Sequence, residues 1–177
     1  MMVILVGPVG AGKSVQAQKL MDRLGMHWIS TGEMLRNSQD AAIQAKLHRG
    51  ELLDDDDVQQ VLNAAIKLVP PDTEIVMDGF PRRISQSKWL EAQLPEWGRE
   101  LDKVVHIKVD ENKAKERMEL RGRHDDSDQA IKQRNLEYTN NVLPMVKRYH
   151  EMGKLVEVDG VGTVDEVATR IQEKLGR

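Results

Sequence analysis

Gly7, Gly10 and Gly12 lead into Lys13 and Ser14 within VILVGPVGAGKSVQAQ, residues 3–18. The spacing fits G-x-x-x-x-G-K-[ST], with an apolar run before it and a helical pattern after it, the setting that this motif requires. Glycines there let backbone N–H groups turn toward a polyphosphate with no Cβ in the way, and the helix start adds a positive dipole end. Lys13 would reach the β- and γ-phosphates, and Ser14 is placed for Mg²⁺. The chemistry is the holding of a nucleoside triphosphate. A dinucleotide loop, G-x-G-x-x-G, would need glycine where Val9 stands.

A held triphosphate does not say what becomes of it, so the other basic stretches must decide the reaction. STGEMLR, 30–36, ends in Arg36. IVMDGFPRR, 75–83, is an apolar strand closing on Asp78, followed by a stiff Gly-Phe-Pro turn that presents Arg82. RMELRGRHDD, 117–126, carries Arg117, Arg121 and Arg123, with Arg134 further along the next helical pattern. In a doubly wound sheet, ligands bind at the carboxyl ends of the strands, where each stretch lies or folds back. Guanidiniums converging there would neutralise a second phosphate-bearing molecule beside the first. Asp78, at the end of a buried strand, stands where phosphate-loop enzymes keep a Mg²⁺-associated carboxylate.

The elements that must position these groups follow from hydrophobic period. Short apolar strands at 2–6, 27–29, 74–78, 103–109 and 154–158 alternate with helical patterns. That argues for an α/β domain, a parallel five-stranded sheet with helices on both faces. Core stripes are expected at Ala17, Leu20, Met21 and Leu24, at Val58, Val61, Leu62, Ala65, Ile66 and Val69, and at Val164, Val167, Ala168 and Ile171. A long helix over 128–152 continues the pattern through Ile131, Tyr138, Val142, Met145 and Tyr149, with Pro144 as its kink. The acidic run 54–57 precedes Val58 and reads as a solvated helix cap rather than a metal site.

The 177 residues suit one domain, and 26 basic against 29 acidic side chains leave a net charge of −3. No diffuse positive field is available for nucleic acid, so an anion site must be local. The absence of cysteine excludes disulfides and thiolate chemistry, and the five histidines lack ligand spacing. No apolar stretch approaches the ~18 residues of a membrane span. A soluble, cytoplasmic protein is expected.

The four stretches, in order from residue 3 to about 170, resemble the adenylate kinases within the nucleoside monophosphate kinase family. GPVGAGKSVQAQ is similar to that family's glycine loop, STGEMLR and DGFPRR to its two monophosphate-site segments, and GRHDDSDQAIKQR to its lid-to-helix segment. The resemblance implies a three-layer phosphate-loop fold with a helical monophosphate-binding insertion at 30–60 and a lid at 117–127. It implies Mg²⁺ as cofactor and reversible transfer from ATP to AMP by a monomer that needs neither membrane nor nucleic acid. Gly10, Ala11, Gly12, Lys13, Ser14 and Val15 would wrap the ATP phosphates, Arg117 and Arg121 would face ATP, and the loop near Gly160 would meet its adenine. Thr31, Arg36, Glu51, Leu53, Gly79, Arg82 and Gln86 would form the AMP pocket. Arg123 and Arg134 would contact phosphates, Ser14 and Asp78 would serve the metal, and Asp125 and Asp126 would lie near its water shell. Lys13, Arg82, Arg123 and Arg134 would carry the transfer.

Three departures qualify the match. Ser14-Val15 stands where the family usually has Gly-Thr, Glu33 replaces an Asp, and Gly122 alone separates Arg121 from Arg123, so the lid is minimal and holds no zinc subdomain. A kinase for UMP, CMP or another small acceptor, and a nucleotide sensor without turnover, are the rival readings. Thr31 and Gln86 favour AMP by resemblance. Intact Asp78 and the arginine set favour turnover.

Overall fold

A computed structural model describes the backbone at residues 1–48, 53–121 and 128–177, and side chains at 1–45, 53–118 and 131–177. The apolar runs form parallel strands β1 Met2–Val6, β2 His27–Ser30, β3 Ile75–Asp78, β4 Leu101–Lys108 and β5 Leu155–Asp159, ordered β2-β3-β1-β4-β5. The intervening helices are α1 Lys13–Leu24, α2 Thr31–Arg36, α3 Ala41–His48, α4 Asp55–Lys67, α5 Ile84–Gln93, α6 Glu111–Arg121, α7 Asp128–Glu137, α8 Leu143–Glu151 and α9 Val164–Lys174. Because β1 lies between β3 and β4, its C-terminal end is where the strand order reverses, the usual place for a ligand in such sheets.

Strand alternation sends Met2, Ile4 and Val6 toward α4, α5 and α8, and Val3 and Leu5 toward α1 and α9. Both faces are therefore covered, as expected of a parallel sheet. Register aligns the edge that matters: Asp78 pairs with Leu5 on one side and with Ser30 on the other, so Thr31, Gly79 and the start of the glycine loop leave the sheet at one level.

Three expectations change. On α1 the buried face includes Gln16, which donates to Val164 O at 3.0 Å, while Met21 is exposed. On α9, Val167, Ala168 and Ile171 are buried but Val164, in the first turn, faces solvent. The helix over 128–152 is interrupted by a π-helical turn, Tyr138–Val142. Pro144 has no N–H and its ring would crowd the carbonyl four residues back. Widening the preceding turn, so that Leu143 N–H bonds Tyr138 O, absorbs this change. Ile131, Tyr138 and Val142 are consequently only half-buried, whereas Met145 and Tyr149 are in the core.

Candidate functional site

The glycine loop runs from β1 to α1, and Lys13 is the first helical residue. Ala11 N–H donates to Pro8 O at 3.2 Å, and the Lys13 Nζ donates to Gly7 O at 2.9 Å and Pro8 O at 2.8 Å. The ammonium is thus held against the loop it is expected to serve. Ser14 is half-buried in the first turn, Ala11 is buried, and Val15 is exposed. Gly10 has φ 81°, and a Cβ there would lie 2.4 Å from Ala114 O on α6. Any side chain must displace either the loop or the helix. We expect Gly10→Val to cost about 1–3 kcal/mol of stability and to abolish ATP binding, read by thermal melting and by nucleotide titration of the same preparation.

Arg117 projects from α6 to the loop after β5. Its Nη2 donates to Gly160 O at 2.8 Å and Gly162 O at 3.3 Å, and its Nη1 comes within 3.9 Å of the position of a Cβ on Gly12. The glycine loop, α6 and the β5–α9 loop therefore meet around one guanidinium. Gly160 is required by close approach: a Cβ would fall 2.6 Å from Val109 Cγ1, and its N–H donates to Lys108 O at 2.8 Å. Arg170 braces the same loop from α9, donating to Asp159 O and Val161 O. Its role was not legible in the sequence, because a single Arg in an amphipathic helix carries no pattern.

The second group of candidates gathers around β3. Asp78 is buried at the strand end, and its carbonyl accepts from the buried Thr31 Oγ1 at 3.2 Å. Gly79 and Phe80 follow, the Phe80–Pro81 bond is cis, and Arg82 Nε donates to Gly79 O at 2.8 Å. Arg82 reaches the solvent-exposed mouth of the site, yet its guanidinium lies among enough protein atoms that desolvation, and next repulsion from Arg134, hold it below its ordinary value. Asp78 and Glu137 act in the opposite direction. Charges on β3 and α7 thus bear on the guanidinium held in the turn after β3. Arg36 ends α2 exposed to solvent, and Leu53, half-buried, precedes the cap of α4.

Gln86 is buried on α5 with its amide engaged at both ends: Oε1 accepts from Arg82 N–H at 2.7 Å and Nε2 donates to Asp55 Oδ1 at 2.8 Å. The acidic run therefore does two jobs. Asp54 caps α4, accepting from Asp57 N–H at 2.9 Å, while Asp55 turns to α5. Glu51, Gly122, Arg123, Asp125 and Asp126 lie outside the described residues, and Arg121 is placed only as the last residue of α6.

Not every arginine belongs here. Buried Arg99 donates to the carbonyls of Val69, Pro70 and Thr73, closing the turn between α4 and β3. Arg148 pairs with Glu91 through both terminal guanidinium nitrogens and joins α8 to α5. A cavity of about 900 Å³ is bordered by Pro8, His106, Ala114, Met118 and Tyr138. None of the described candidates for holding nucleotide lines it. On its wall, His106 Nε2 and Tyr138 Oη share a 2.7 Å hydrogen bond, and burial chiefly lowers the His106 pKa below its ordinary value.

A phosphate loop at the strand-order reversal, with a second basic group one strand away, is the layout of a kinase that sets two phosphorylated nucleotides side by side. The class is nucleoside monophosphate kinase. The family model described as adenylate kinase matches residues 5–154. Among curated proteins, the chain is 37% identical over the full length of both chains to an adenylate kinase of Xanthomonas oryzae pv. oryzae. It is 35% identical to one of Clavibacter michiganensis, covering 98% of this chain and 92% of that one. The chain belongs to the adenylate kinase family.

Proposed function

We propose that the chain transfers the γ-phosphoryl group of Mg·ATP reversibly to AMP, giving two ADP. The observation that carries the reading is the arrangement at the carboxyl ends of the strands: Asp78 and the turn that holds Arg82 against Gly79 O end β3, which pairs with β1 beside the loop that ends in Lys13, and Arg134 bears on the Arg82 charge from α7. Gly10 to Val15 wrap the donor phosphates, Arg117 and Arg121 flank the donor, and the backbone near Gly160 meets its base. Thr31, Arg36, Glu51, Leu53, Gly79, Arg82 and Gln86 take the acceptor. Arg123 and Arg134 bridge the two phosphate groups.

The donor set suits Mg²⁺ carried in on the nucleotide. Among the described residues no three His, Asp or Glu side chains cluster to hold a cation, whereas Mg²⁺ is commonly held by one or two carboxylates and substrate phosphates. Asp78 and Ser14 would provide the protein's share, partly through water, and the ion would neutralise charge on the β- and γ-phosphates. No covalent residue is needed, because holding donor and acceptor in line and offsetting their charge supplies the catalysis. Closure of the 30–60 insertion and the 117–127 lid would keep water from taking the phosphoryl group.

No helix among the described residues is long and apolar enough to cross a membrane. We place the enzyme in the cytoplasm, as a monomer, with ATP and AMP as its partners and no nucleic acid or membrane. A coupled assay of ATP against AMP, CMP, UMP, GMP and no acceptor tests the proposal. AMP should give the highest kcat/KM by at least about tenfold, a difference of ~1.4 kcal/mol. Preference for a pyrimidine monophosphate would establish the UMP/CMP alternative, and nucleotide binding without turnover would establish a sensor.

A further inference from the structure

Gln86 is held by two groups of fixed polarity. Its Oε1 faces the Arg82 N–H, which can only donate, and its Nε2 faces the Asp55 carboxylate, which can only accept. Turning the amide over would set donor against donor and acceptor against acceptor. The carboxylate is itself fixed: Ser85 Oγ donates to Oδ2 at 3.1 Å, and Arg83 Nη1 lies 3.7 Å from Oδ1. Helix capping does not account for this arrangement, since Asp54 already takes the cap.

Each end of the amide keeps one further bond in hand, a second N–H hydrogen on Nε2 and a second lone pair on Oε1. A donor beside an acceptor complements adenine, whose N1 accepts and whose 6-amino group donates. A 6-oxo purine offers the reverse, N1–H donating and O6 accepting. We infer that Asp55 is a specificity-determining positioning residue: by holding the Gln86 amide in one sense, it makes the acceptor site choose a 6-amino over a 6-oxo purine. The inference rests on Gln86 meeting the acceptor base, as proposed above.

The test compares kcat/KM for AMP and for inosine monophosphate at saturating Mg·ATP in the wild type, Asp55→Ala, Asp55→Asn and Gln86→Ala. Asp55→Ala removes the acceptor that orients the amide and leaves the Asp54 cap in place. Its AMP-to-inosine-monophosphate ratio should fall roughly tenfold, mainly through the AMP KM, with kcat and the ATP KM within about twofold of wild type. Asp55→Asn can still turn an oxygen to Gln86 and an N–H to Ser85, so it should recover most of the ratio. A residue that only supported the fold would weaken both acceptors alike, and an unchanged ratio in Asp55→Ala overturns the inference. If Gln86→Ala collapses the ratio while Asp55→Ala does not, the inference fails and the role of Gln86 stands. If Gln86→Ala leaves the ratio intact, both fail.

Discussion

Lys13→Ala should lower kcat by about a hundredfold or more while weakening ATP binding by less than about tenfold. A charge aimed where negative charge develops stabilises the transition state more than the bound substrate, and removing one such group elsewhere costs ~2.7–4 kcal/mol. Lys13 also bonds the carbonyls of Gly7 and Pro8, so part of the loss could come from a slackened loop. Lys13→Gln separates the two contributions, because it keeps an N–H donor and lacks the charge. Both variants should lose kcat to a similar degree, measured by steady-state kinetics alongside equilibrium titration of ATP. A Gln variant with more than half of wild-type kcat would make Lys13 a loop brace and remove it from catalysis.

Arg82→Lys should lower kcat/KM for AMP by roughly tenfold or more, chiefly by raising the AMP KM. Lysine preserves the charge and loses the planar pair of donors that matches a phosphate. Desolvation and then repulsion from Arg134 hold the Arg82 pKa below its ordinary value. An incoming phosphate would relieve that repulsion, so the two arginines should be coupled through the acceptor. In a double-mutant cycle with Arg134→Lys, the losses in kcat/KM should fall short of additivity. Arg123→Lys, by contrast, should act mainly on kcat if the lid engages only on closure. An Arg82→Lys enzyme with the wild-type AMP KM would remove Arg82 from the acceptor site.

The sheet and the glycine loop were legible because their signals are local. Each strand is a short apolar run, and Gly7 to Ser14 depends on neighbours within eight residues. What escaped depends on distance through space. The stripe on α1 placed Met21 inward because periodicity fixes a face only to within about a third of a turn, and the position of α9 decided that Gln16 occupies it. Pro144 marked a disturbance correctly, but only the backbone reveals a π turn instead of a bend. Asp55 looked identical to its three neighbours until α5 was set beside it. Arg99 and Arg170 belong to no motif at all, and their carbonyl partners are turns whose geometry composition does not encode.

The place of β1 also bears on how the chain leaves the ribosome. Its sheet neighbours are β3 and β4, and neither exists until Ile75 to Asp78, and later Leu101 to Lys108, have been made. At roughly 5–20 residues per second, β1 waits about 4–14 s for the first of them. During that interval a five-residue run, MVILV, has both edges without a native strand, the kind of exposed segment that pairs with other chains. The strand that ends in the phosphate loop is therefore also the strand that waits longest for its first partner during synthesis.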